Sequence, residues 1–272
     1  MNKVPVGYQV YSARELAEKD MEKVFTALKE MGYDGVEFAG FYGKTAAEVK
    51  DILDRTGLVA VSSHVGYDLL CNDLDSIIAY HLAIGCKYIA VPYLDEAERP
   101  DGQNFADVIR NLYAIGKKCK DNGITLLYHN HDFEFVQVNG IYGLDFLYRA
   151  VSEEFLQTEI DTCWVKYAGE DPAAYVRKYA GRAPIVHLKD YVGVKGEGTP
   201  YELINRSAAA TSQTFEFRPV GHGCQDVVAV VEAGIEAGAK WFVVEQDRWY
   251  DRCPLEAARM SIETLKKIGL KG

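Results

Sequence analysis

Two rhythms of apolar residues alternate along this chain. Short runs that are apolar throughout or at every second position read as strands. They are Val6–Val10, Gly35–Phe38, Leu58–His64, Tyr88–Pro92, Ile124–His131, Leu156–Asp161, Pro184–Lys189 and Trp241–Gln246. Between them lie longer stretches with apolar residues three and four apart, which read as amphipathic helices. Ser12–Met31 carries Leu16, Met21, Val24, Phe25, Leu28 and Met31 in that spacing, and Asp73–Ile84, Phe105–Asn122, Leu144–Val151, Gln225–Ala237 and Pro254–Ile268 follow suit. Thr45 with Glu48 three residues on forms a capping box that opens another helix. Asp171 and Pro172 supply Ncap and N1 of one that runs to Tyr179. The stretches MGYDGVEF, IGCKYIAV, NGITLLYH and AGAKWFVV repeat the order helix, glycine, strand.

A strand followed by a helix, repeated through the chain, predicts an α/β fold, a single (β/α)8 TIM barrel occupying residues 1–272. The length agrees, since such barrels take about 250 residues. The segment Tyr191–Cys224 breaks the rhythm. It is rich in Gly, Ser, Thr and Ala and falls after strand seven, where a lid or substrate-contact loop is expected.

A net charge of −10 argues against a duplex nucleic-acid surface, which needs a basic stripe. Cys71, Cys86, Cys119, Cys163, Cys224 and Cys253 show no CxxC spacing, so a thiolate zinc site is not expected and a reducing compartment is. The N-terminus MNKVPVGYQVYS lacks the apolar core of a signal peptide, and no run of about 18 apolar residues suggests a membrane span. The expected location is the cytoplasm, with no nucleic-acid or membrane partner; homo-oligomerisation is left open. Neither GxGxxG after strand one nor GxxxxGK[ST] is present, so a nucleotide cofactor is not indicated.

Chemistry-bearing residues gather where strands end. YHNHDFEF (128–135), EIDTCW (159–164), HLKD (187–190) and VEQD (244–247) each place a metal-capable side chain after an apolar run. In a parallel barrel these ends share one face. The candidates are Glu134, Asp161, His187 and Glu245, with His129 and His131 nearby. Three carboxylates around one imidazole can share a divalent cation, and an oxygen-rich set with one nitrogen suits Mn²⁺, Mg²⁺, Co²⁺, Fe²⁺ or Zn²⁺ alike. Lys189 follows His187 by two and so points the same way on an extended strand. His64 ends strand three in SSHVG, and Gln9 and Gln246 are weaker candidates at the same face.

Over essentially its whole length the chain resembles the xylose isomerase-like barrels. These include sugar isomerases and epimerases, inosose dehydratases and endonuclease IV. YHNHDFEF, EIDTCW, HLKD and VEQD resemble the sugar phosphate isomerase/epimerase branch. The resemblance implies a metal held by Glu, Asp, His and Glu at the ends of strands five to eight. Asp161, His187 and Glu245 carry over directly. The epimerases have their strand-five Glu where this chain has His129, so Glu134 is the expected fourth ligand, reaching back on a loop, with His129 and His131 as alternatives. Endonuclease IV has DTCH where this chain has Asp161-Thr162-Cys163-Trp164, and Trp cannot ligate a metal, which counts against DNA repair. Trp164 is expected instead as a flat apolar wall for the carbon face of a sugar. Arg218 in FEFRPVGHG resembles a substrate-contact arginine, and His64, His129 and His131 are placed against substrate as well.

The expected activity is a divalent-metal-dependent isomerase or epimerase of carbohydrate metabolism, acting on a small polyhydroxylated carbonyl compound through an enediolate. Glu134 and Glu245 are the expected proton-transfer pair, with Lys189 or His64 as auxiliary acid. A lyase of the inosose dehydratase kind shares the first half of that chemistry. A non-catalytic sugar-binding barrel would bind without exchanging the proton next to the carbonyl.

Overall fold

The computed structural model describes residues 4–194 and 215–271. Its barrel strands are β1 (Val6–Gln9), β2 (Gly35–Ala39), β3 (Val59–His64), β4 (Tyr88–Val91), β5 (Thr125–His129), β6 (Gln157–Asp161), β7 (Ile185–Leu188) and β8 (Trp241–Val244). Every neighbouring pair is parallel, and β1 pairs with both β2 and β8, so the sheet closes on itself. This is the expected (β/α)8 barrel.

Side chains alternate across the barrel wall. Val61, Ala90, Leu127, Ile185 and Val243 meet inside as an apolar plug. Residues one position away, such as Val36, Ile89, Tyr128, Val186 and Phe242, join the larger core beneath the helices. Strand β3 carries an irregularity. Val36 pairs with Ala60 but Glu37 pairs with Ser62, so Val61 is an extra residue opposite the Val36–Glu37 step. Gly35 makes room for it, since a Cβ there would lie 2.6 Å from the Val61 side chain. Past the bulge, His64 also faces the barrel interior.

The helices obey local chemistry. Thr45 and Glu48 form the capping box at the start of Ala46–Thr56, and Asp171 caps Pro172–Lys178. Gly32 and Gly238 close their helices at φ 106° and 85°, a left-handed conformation that side chains resist. The stretch expected as one helix from Ser12 is divided. A 3-10 turn, Val10–Ala13, leads into Arg14–Lys19, and Asp20 then caps a fresh helix, Met21–Met31, by accepting from Lys23 N. A short helix not anticipated, Thr162–Ala168, follows β6 directly. The long segment after β7 begins and ends in an antiparallel ribbon, Asp190–Val192 against Glu216–Arg218. The Asp190 carboxylate pins its return by accepting from the amides of Gly221, Gly223 and Gln225. The part of the expected lid at 195–214 lies outside the described residues.

Candidate metal centre

Asp161 ends β6 and also caps the helix it leads into. Its Oδ1 accepts from Cys163 N at 2.8 Å and Trp164 N at 3.3 Å. Its Oδ2 is buried and accepts no hydrogen bond. One oxygen therefore caps the helix while the other is left without a hydrogen bond. From β5, His129 Nε2 lies 3.6 Å from that free oxygen. From β7, His187 Nδ1 meets Glu245 Oε2, just past β8, at 3.0 Å. One donor atom from each of His129, Asp161, His187 and Glu245 lies within 4.8 Å of the others. We call these the mouth set.

Lys189 reaches the same place. Its Nζ is 2.7 Å from Asp247, 3.2 Å from Glu245 and 3.5 Å from Asp161, and 5.1 Å from the centre of the Trp164 ring. Burial opposes its charge, but Asp247, Glu245 and Asp161 outweigh burial and raise its pKa. Burial likewise pushes Asp161 up to about 6 and Asp247 up to about 7, against the pull of Lys189. Glu245 goes the other way, because Lys189 and His187 overcome its burial. Desolvation, helped by neighbouring positive charge, keeps His129 and His131 neutral.

Above this set opens a cavity of about 350 Å³ lined by Tyr11, His64, Pro92, Tyr93, His129, His131, Lys189, Glu245 and Asp247, with Ala39 at its edge. It lies at the C-terminal ends of the strands, where TIM-barrel enzymes keep their active sites.

Beneath the mouth set lies a second polar tier. Glu37 on β2 and Glu159 on β6 are fully buried. Gln9 donates to Glu37 at 2.7 Å. His64 Nε2 lies 2.7 Å from Glu159 Oε1 and 3.2 Å from Glu37 Oε1. Burial works against a charged His64, but Glu37 and Glu159 outweigh it and push the imidazole up to about 10.

The structure brings Asp161, His187, Glu245, Lys189, His64, His129 and His131 together. It does not bring Glu134 to them. The 3-10 turn Phe133–Phe135 folds Glu134 back outside the barrel wall, where Tyr128 Oη donates to Oε1 at 2.7 Å and His131 N to Oε2 at 2.8 Å. The strand-five place in the set is taken by His129. Trp164 is fully buried, stacked on Phe215, and stands behind His131 and Lys189 instead of lining the cavity. Arg218 turns to Glu216 and Tyr250 and does not line it either. Gln9 supports Glu37, and the Gln246 side chain donates to Arg248 O.

Sequence reasoning missed Glu37, Glu159, Asp247, Tyr11 and Tyr93. A signal existed for Glu159, because it precedes Asp161 by two and therefore faces the same way. Glu37 showed itself as a lone charge inside the apolar run GVEFA.

A family model described as xylose isomerase-like TIM barrel matches residues 25–268. The chain belongs to that family. No curated protein matches it by sequence. Among solved structures it is similar to a sugar phosphate isomerase/epimerase from Parabacteroides distasonis, 20% identical, covering 100% of this chain and 96% of that one at a TM-score of 0.77. It is also similar to an L-ribulose 3-epimerase, 14% identical, covering 98% and 94% at a TM-score of 0.69. A third is the protein IolI with a bound zinc atom, 12% identical, covering 97% of each chain at a TM-score of 0.70. At these identities the likeness is one of fold. Among the described residues of this xylose isomerase-like barrel, no helix is long and apolar enough to cross a membrane.

Proposed function

We propose that this protein is a divalent-cation-dependent isomerase or epimerase of a small polyhydroxylated carbonyl compound. The observation that carries the reading is the convergence of His129, Asp161, His187 and Glu245 beneath a cavity of about 350 Å³. The donors fit a cation: Asp161 Oδ2 is buried without a hydrogen bond, and a mixed nitrogen and oxygen set suits Zn²⁺, Mn²⁺, Co²⁺ or Fe²⁺, with Mg²⁺ less favoured by the imidazoles. A cation held there would polarise the substrate carbonyl and stabilise the negative charge that develops on it.

The remaining work falls to the chain's own residues. Glu245 is placed to take the proton from the carbon next to the carbonyl. Lys189, held beside it at 3.2 Å, offers an ammonium to the developing enediolate oxygen. On the loop after β5, His131 replaces Glu134 as the second proton-transfer group. It lines the cavity and is kept neutral by burial, so it can exchange a proton on the other face of the substrate. Tyr93 and Pro92 give the cavity an apolar side suited to a sugar's carbon skeleton.

The test is incubation of the Mn²⁺-, Co²⁺- or Zn²⁺-loaded protein with a panel of ketoses and aldoses in D₂O, read by NMR. The expected result is deuterium at the carbon next to the carbonyl together with an isomeric sugar. A new enone absorbance would mean a dehydratase. A sugar that binds without deuterium uptake would overturn the catalytic reading.

A further inference from the structure

The inner tier holds a second set of donor atoms, which shares His129 and His187 with the mouth set and adds His64 and Glu159. One donor atom from each of His64, His129, Glu159 and His187 lies within 4.8 Å of the others. Glu159 Oε1 stands 2.7 Å from His64 Nε2, 3.3 Å from His187 Nε2 and 3.3 Å from His129 Nδ1. Glu37 Oε1 stands 2.7 Å from His187 Nε2. Of these contacts, only His64 to Glu159 has the direction of a hydrogen bond. His187 Nε2 and His129 Nδ1 are buried and make none, close as the oxygens are. Glu37 Oε2 and Glu159 Oε2 are also buried without a hydrogen bond. Hydrogen bonds weaken steeply off axis. Atoms packed this closely but aimed past one another are arranged as ligands around a common point.

His187 Nδ1 is aligned with Glu245 Oε2 at 3.0 Å, which leaves Nε2 among the inner oxygens, 2.7 Å from Glu37 and 3.3 Å from Glu159. The two fully buried carboxylates draw positive charge to this tier, and a cation that displaces the imidazole protons would supply it to both at once.

We propose that Glu37, His64, Glu159 and His187, through Nε2, bind a divalent cation of their own, one tier below the mouth set. Two imidazole nitrogens and two carboxylates favour a borderline transition metal such as Zn²⁺, Co²⁺ or Mn²⁺ over Ca²⁺. The imidazoles then divide the labour. His187 Nε2 serves the inner ion, so with both ions bound the mouth cation is held by His129, Asp161 and Glu245, and His187 bears on it through its Nδ1 contact with Glu245. His129 serves the mouth with Nε2, beside Asp161 and Glu245, leaving open positions there for substrate oxygens. The inner ion ties β2, β3, β6 and β7 together directly under the cavity.

Two measurements test this. Wild-type crystals soaked in Zn²⁺ or Co²⁺ and measured at the metal edge should show an anomalous peak in bonding contact with Glu159 and His187 Nε2, separate from one at Asp161. Elemental analysis after dialysis against Zn²⁺ should give two ions per chain for wild type and one each for Glu159→Gln and Asp161→Asn. A single peak at Asp161, with Glu159→Gln keeping the wild-type metal content, would overturn the inner site and leave the mouth reading intact. A single peak at Glu159 would support it and overturn the mouth ligand set instead. The diffraction result does not depend on any variant folding.

Discussion

The Tyr128 hydroxyl donates to Glu134 across 2.7 Å, and Tyr128 belongs to the core outside the barrel wall. The Glu134 carboxyl is therefore a structural group under the helices. Burial pushes it up to about 8, while Tyr128 and the His131 amide pull the other way.

Its proton should be visible in stability. The unfolded carboxyl ionises near 4.5 and the folded one near 8, so the folded chain keeps a proton that the unfolded chain gives up between those values. The contribution is complete below about pH 4.5 and is lost as pH rises through about 8. Glu134→Gln should flatten that part of the dependence of Tm on pH, being near neutral at pH 5 and more stable than wild type at pH 9. Metal content should not change. Loss of bound metal in Glu134→Gln would return Glu134 to the ligand set.

Asp161 permits a separation of fold from ligation. Asn caps helices as well as Asp, so Asp161→Asn should keep the Thr162–Ala168 helix and lose metal affinity. Asp161→Ala should lose the affinity and, with the cap, about 1 kcal/mol of stability. Thermal unfolding beside elemental analysis distinguishes them, and equal Tm values for the two variants would deny the cap its role.

Glu245→Gln should cut deuterium exchange by about 10²–10⁴, the usual contribution of a positioned base. Metal occupancy has to be measured in the same sample, because Glu245 also belongs to the mouth set. Asp247→Asn is the companion variant. Exchange that survives in metal-replete Glu245→Gln and disappears in Asp247→Asn would move the base to Asp247.

Lys189 neutralises Asp161, Glu245 and Asp247 from a buried position. Lys189→Met should destabilise the metal-free protein by about 3–5 kcal/mol, the scale for leaving buried charge without its partner. Added Zn²⁺ or Mn²⁺ should restore part of that loss. A denaturant titration with and without metal reads both, and a variant as stable as wild type without metal would show that the carboxylates are already neutral.

The barrel was legible because each strand carries its own alternation and four of the helix ends carry a glycine before the next strand. Asp161 was legible as a metal-capable side chain at a strand end, and it stands at the end of β6. Glu134 was misread because YHNHDFEF contains no mark of where the strand stops. β5 ends at His129, and the 3-10 turn after it reverses the direction in which Glu134 points. Glu37 went unnoticed because attention to strand ends passes over a charge in mid-strand, and only a closed barrel reveals that such a charge has partners on β3 and β7. The division of the first long helix at Asp20 was hidden because apolar spacing continues across the break.

The extra residue in β3 separates two requirements that an ordinary strand would force into conflict. Val61 must face inward to complete the plug, and His64, three positions later, must face inward to meet Glu159. On a regular strand those two lie on opposite sides. The bulge resets the phase between them, so the lower half of β3 can be tuned for packing and the upper half for chemistry. Removing Val61 would leave strand pairing intact on either side, with His64 still opposite Ala39, and would open a gap in the plug while leaving every residue of the cavity facing as it does now.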